Sequence, residues 1–380
     1  MVCLFFCLGI GTAEGASADS MIGEELFDSL GVSSLNREVD EINRDLALDL
    51  APLTLELVRR LAEEGISFDP ETWGKALQQI FFHEIVAQMH LLGKLLFLAV
   101  LCVLMQQLQS SFESSKIAGL SYSVCFIFLL IIGMKAFASA VLLAGQTVDA
   151  MIGFMEALLP LLLFLLTAVG AITSAALFTP LMLFAVNALG LMMKTVILPL
   201  FLLVAVLDSL NYFSKTYRVG QLAALLRQMG MMLFGFGMVL FTGLLAVQGV
   251  SGGIADGLGL RAAKFAVGNF VPLVGKLFAD SVDVIFGASL ILKNAVGIFG
   301  MITIGTVCLV PLVKLLVLVF LMKAGGALIQ PMGEERLASC LAHMGTHIFL
   351  LFAVVTSVAL LFFLTITIIV GVGSMSVMMR

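Results

Sequence analysis

The sequence predicts an all-α polytopic membrane protein with about eight transmembrane helices, preceded by a small helical exported region. Three observations lead there. Hydrophobic residues make up 61% and charged residues 12% of the 380, and the mean hydropathy is +1.14. Apolar runs of about 20 residues recur along most of the chain, the length a bilayer core demands of a helix. The charge is unevenly spread: residues 1–90 hold 16 acids and 5 bases, net −11, whereas residues 91–380 hold 9 acids and 15 bases, net +6. These values exclude a soluble enzyme, a disordered chain and a basic nucleic-acid binder. No nucleic acid is expected among the partners; the lipid membrane is. The 6 cysteines are scattered and give neither a disulfide framework nor a zinc spacing.

Residues 1–18 read as a signal-peptide-like segment, with a short apolar core from Val2 to Ile10 and small residues at Ala16-Ser17-Ala18. A basic stretch before the core is missing, so an uncleaved anchor remains the alternative. Residues 19–90 follow as an acidic, extracytoplasmic region. Leu35, Val39, Ile42 and Leu46 recur at helical spacing, Pro52 interrupts the pattern, and Asp69-Pro70-Glu71 opens the next helix with a cap, a proline at the first position and an acid in the first turn. These helices form either an interfacial cap on the membrane or a docking surface for a partner.

Residues 91–380 form the multi-span domain. Its expected spans are 91–108, 119–145, 151–172, 177–207, 229–248, 262–292, 295–322 and 347–370. Lys94 is placed near the end of the first, where it reaches toward water. Pro199 and Pro311 each break a span. The stretch 262–292 is the least apolar, since it carries Lys264, Lys276, Asp280 and Asp283. Lys276, Asp280 and Asp283 share a helical face. That face is either a partly solvated one with neutralising pairs or the wall of a pore or gate. A re-entrant or interfacial helix is the other placement for this stretch. The glycine-rich run from Gln248 to Gly259 reads as a turn between spans.

A candidate duplication relates 151–250 to 262–372. Pro160 precedes Pro199, and Pro272 precedes Pro311, by the same interval, and Met229-Gly230 echoes Met344-Gly345. Three spans per unit make an inverted 3+3 repeat, in which Pro199 and Pro311 shape one cavity; ordinary proline kinks are the competing reading. With an exported start and eight spans, Lys116, Arg261, Lys264, Lys323 and Arg336 fall inside, and Lys215, Arg218, Arg227, Lys293 and Arg380 outside. That balance gives no orientation, so the signal-like start alone sets it.

Chemistry is sparse. No P-loop or His-Glu-x-x-His pattern occurs. His343 and His347 stand one turn apart without a third ligand nearby in sequence, so no metal, cofactor or catalytic residue is assigned. Glu156, Lys194 and Asp208 lie in or beside apolar runs and are weaker candidates for lining a path.

Leu92-Gly93-Lys94-Leu95, Gln106-Gln107-Leu108-Gln109 and Val247-Gln248-Gly249 precede a distinctive block, Leu260-Arg261-Ala262-Ala263-Lys264-Phe265 with Gly268-Asn269-Phe270-Val271-Pro272. Together with Ala288 to Asn294 and Gln330-Pro331, they resemble the stage III sporulation protein AE family over 90–380. The resemblance implies a non-enzymatic membrane component of the sporulation channel complex between mother cell and forespore, one that supports forespore development and late forespore gene expression. It implies a multi-pass location in the mother-cell membrane surrounding the forespore. The implied partners are other membrane proteins of the stage III sporulation operon, their ATPase and a forespore channel partner. An autonomous secondary transporter or permease is the alternative, kept by the candidate repeat and the charges within spans.

Overall fold

The computed structural model describes residues 32–46, 70–111, 115–213, 219–270 and 274–378, with isolated positions between 52 and 57; from 248 to 286 it describes the helical path and not the side chains. The signal-like segment 1–18 lies outside the described residues, as do both neighbours of Pro52, which is itself described as exposed and outside any helix. The described elements are helices: α1 (Ser33–Leu46), α2 (Pro70–Ser111), α3 (Ser115–Ala168), α4 (Ile172–Met192), a π-helical turn (Met193–Ile197), α5 (Leu198–Phe213), α6 (Gly220–Phe270), α7 (Val274–Ile329), a 3₁₀ turn (Gln330–Met332) and α8 (Glu335–Met378).

Six helical stretches among the described residues are long and apolar enough to cross a membrane, where the sequence count is about eight. One part of the difference comes from polar residues that do not break the helix; the expected span 262–292 runs across 271–273, outside the described residues, with its two parts in α6 and α7. The expected spans 119–145 and 151–172 run together through α3 as far as Ala168, with Thr147 donating to the Leu143 carbonyl at 2.7 Å and Asp149 pairing with Lys194 at 2.8 Å. Lys293 and Asn294 likewise lie inside α7, where the Lys293 ammonium donates to the Val370 carbonyl of α8 at 2.7 Å. Lys293 is therefore buried between helices and not in an outer loop. The stretch 248–259 is helical within α6, which corrects its reading as a turn. In hydrocarbon every backbone group needs an internal partner, and continuing the helix supplies it even through glycine.

The α7–α8 hairpin packs along α3 to form the centre of the bundle, with Phe137, Phe154, Phe178 and Phe362 fully buried in the shared core. Gly326 lets the two arms of the hairpin meet: a Cβ there would stand 2.7 Å from the Ala338 carbonyl oxygen. The link between the arms turns through Gly333 at φ +89°, a left-handed geometry that glycine adopts without steric cost. Helix α2 lies outside, its Ile80, Phe81, Ile85 and Leu92 packing on Val313, Val317 and Leu321 of α7. It starts at Pro70, as the capping pattern predicts, and passes through residue 90 without interruption. Leu35, Val39 and Ile42 of α1 are buried in the same core, and the helix lies on α3. The apolar face of α1 is thus covered by the chain's own membrane helix. Large apolar side chains such as Phe97, Phe184, Met232 and Val239 are exposed, the outward face expected of a body solvated by lipid.

The stretch 151–250 comprises the end of α3, the α4–π–α5 unit and the start of α6, whereas 262–372 comprises the end of α6, α7 and α8. The two prolines sit differently. Pro199 follows the π turn Met193–Ile197 at the second residue of α5 and is exposed; Pro311 is buried in the middle of α7. Pro199 has no N–H to bond and its ring crowds the carbonyl four residues back, and the wider π turn relieves that crowding.

Candidate functional site: a buried polar cluster between α5, α6 and α8

Asp208, near the end of α5, faces α8. The His347 Nε2–H donates to its Oδ2 at 3.0 Å, and the imidazole is only 3% exposed. One turn earlier on α8, His343 Nδ1 lies 2.8 Å from the Tyr212 hydroxyl and 2.9 Å from the Ser339 carbonyl oxygen. A carbonyl only accepts, so the tautomer with hydrogen on Nδ1 serves Ser339 and the other accepts from Tyr212. Phe137 of α3 meets the His347 ring edge-on, with centroids 6.4 Å apart. Val204, Asp208, Gly220, Ala223, Arg227, His343 and His347 line a half-open cavity of about 90 Å³, room for a few waters.

The spacing follows from helix geometry. Asp208 and Tyr212 are four apart on α5, and His343 and His347 four apart on α8, so each pair makes one stripe and the two stripes face each other. The arrangement holds a carboxylate, two imidazoles, a phenol and a guanidinium in one polar nest within an apolar bundle. It is chemically able to retain water and to hold or pass a proton. Among the described residues no group of three or more His, Cys, Asp or Glu is placed to hold a metal ion.

The remaining sequence candidates are dispersed. Lys194, in the π turn, pairs with Asp149 of α3 on the outside of the bundle. Glu156 is exposed on α3. Lys276, Asp280 and Asp283 fall in α7, but their side chains lie outside the described residues. Sequence reasoning singled out Asp208 and noted His343 and His347 without joining them. It missed a second buried carboxylate, Glu334, just before α8. Tyr122 of α3 donates to Glu334 Oε2 at 3.0 Å, while its Oε1 is buried with no hydrogen-bond partner among the described residues. Burial raises this carboxyl above the usual range, opposed by the Tyr122 hydrogen bond and by Arg336.

The family model for stage III sporulation protein AE matches residues 54–373. Stage III sporulation protein AE of Bacillus subtilis (strain 168) is 35% identical over 374 residues, covering 97% of this chain and 94% of that protein. The chain belongs to the stage III sporulation protein AE family. It is a sporulation membrane protein with several apolar helices. Its family is named for a sporulation stage, not for a reaction. No solved structure matches the chain. For the family, this structure supplies a bundle in which one polar nest lies between α5, α6 and α8.

Proposed function

We propose that this chain is a non-enzymatic membrane component of the sporulation channel complex, seated in the mother-cell membrane around the forespore and supporting forespore development and late gene expression. The observation that carries the reading is the end-to-end match to the Bacillus subtilis protein. A relation over nearly the whole of both chains argues for a shared role and not for one borrowed domain. The proposed partners are the other membrane proteins of the stage III operon, the operon's ATPase and a forespore channel protein. An ATPase partner suits a chain whose sequence has no P-loop. The acidic region before α2 is the proposed meeting surface, and in α1 the charged face is the one available, because its apolar face lies on α3.

Affinity purification of the tagged full-length chain from sporulating cells tests the reading. Recovery of the operon's membrane proteins and ATPase is the expected result. Recovery of the chain without them overturns it. A second reading, an autonomous secondary transporter, has one observation in its favour: the Asp208–His347 pair held between apolar helices. Solute or proton flux by the isolated chain in liposomes, abolished by Asp208→Asn, would decide for that reading. In it, Lys276, Asp280, Asp283, Pro199 and Pro311 are the further proposed gate positions.

A further inference from the structure

A groove of about 870 Å³ lies on the other side of the bundle, between α2, α3 and α7. Each helix contributes one lysine to it: Lys94 from α2, Lys135 from α3 and Lys314 from α7. No carboxylate lines the groove, and among the described residues none of the three lysines pairs with one. Lys94 lies inside the apolar stretch Gln78–Met105. Lys135 and Lys314 are likewise interior to the apolar stretches Tyr122–Ala168 and Ser289–Met332.

Three lysines lining one groove with no carboxylate beside them make it positive, Lys94 and Lys135 being exposed and Lys314 half-buried. A bound anion is attracted by all three charges. The rest of the wall sorts by chemistry: Gln88, His90 and Gln146 are polar, while Leu91, Leu143 and Leu318 are aliphatic. A compact ion would use only the first part of such a wall, whereas a ligand with a charged head and an apolar chain uses both. We propose that the groove binds a phosphate-bearing ligand, its phosphate held by Lys94, Lys135 and Lys314 and any acyl chain lying along the leucines. The site is separate from the Asp208–His347 nest and stands or falls independently of the channel reading.

The test uses the full chain purified in a neutral detergent, with native mass spectrometry reading retained phosphatidylglycerol against phosphatidylcholine. Preferential retention of phosphatidylglycerol, weakened by raising the ionic strength, is the expected result. Lys135→Gln and Lys314→Gln each should weaken it about fivefold, taking about 1 kcal/mol per basic residue facing an anionic headgroup. Lys323→Gln, on the same helix as Lys314 but outside the groove, should leave it unchanged. The charge-retaining Lys135→Arg should restore most of the binding, which separates lost charge from lost folding. A parallel titration with inorganic phosphate distinguishes the sources. Protection of the wild type from thermal unfolding by phosphate, absent in the lysine variants, assigns the groove to a soluble phosphate. Equal retention of the two lipids together with no phosphate effect overturns the proposal, as does wild-type binding by both glutamine variants.

Discussion

Alanine at Asp208 and at His347, singly and together, measures what the polar nest contributes. His347 is 3% exposed and its partner 17%, so removing either leaves the other's polar atom buried without its bond. An orphaned buried group costs about 1–3 kcal/mol. With a chain of this size, that corresponds to a fall of about 1–4 °C in the unfolding midpoint. The double variant has no such orphan. It should be destabilised by clearly less than the sum of the two singles, with a coupling of about 1–3 kcal/mol. The protein carries its own reporters, since Cys102, Cys308 and Cys340 are buried free thiols and react with a fluorogenic maleimide only as the bundle opens. Cys125 is half-buried and should be replaced by serine to lower the background. Because His347→Ala also removes the Phe137 ring contact, His347→Asn serves as a control. Additive losses, within about 0.5 kcal/mol, would refute the claim that the bond joins α5 to α8 energetically.

Three further outcomes follow from other positions. Gly326→Ala should destabilise the α7–α8 hairpin, because the new Cβ meets a backbone carbonyl; Gly235→Ala, with nothing within 4 Å, should be neutral or stabilising by up to about 1 kcal/mol, and thermal unfolding of the two variants ranks them. Glu334 binds its proton more tightly in the folded chain than in the unfolded one, so its contribution is present at low pH and lost as pH rises through the raised value. Thermal stability should therefore decline over that interval, and Glu334→Gln should flatten the pH profile. Asp280→Leu combined with Asp283→Leu should leave membrane insertion intact while impairing sporulation; normal spore yield would assign this part of α7 a structural role only.

Legibility differed with range along the chain. Leu35, Val39 and Ile42 are buried where their spacing puts them, and α2 starts at Pro70, because caps and periodicity are local signals. Helix continuity was misread at Thr147, Asp149 and Lys293. Each of them looks like a loop residue until its acceptor or partner is known, and for Asp149 and Lys293 that partner lies on another helix. Asp208 and His347 stand 139 residues apart, and the three groove lysines come from three separate helices. No window of sequence contains such groups together. What the sequence did offer was an ionisable residue within an apolar run, a signal that marks half of a pair without naming the other half.

The helix α3 has 54 residues and α7 has 56, so each is about 80 Å long against a bilayer core of about 30 Å. Rods of that length act as levers. A tilt of about 5° about one end carries the other end through about 7 Å, more than the width of a water molecule and comparable with the gap between neighbouring strands of a sheet. A push on the α3–α7 pair at one membrane surface would thus be carried toward the opposite leaflet, with Pro160 in α3 and Pro311 in α7 as the points where each rod can bend.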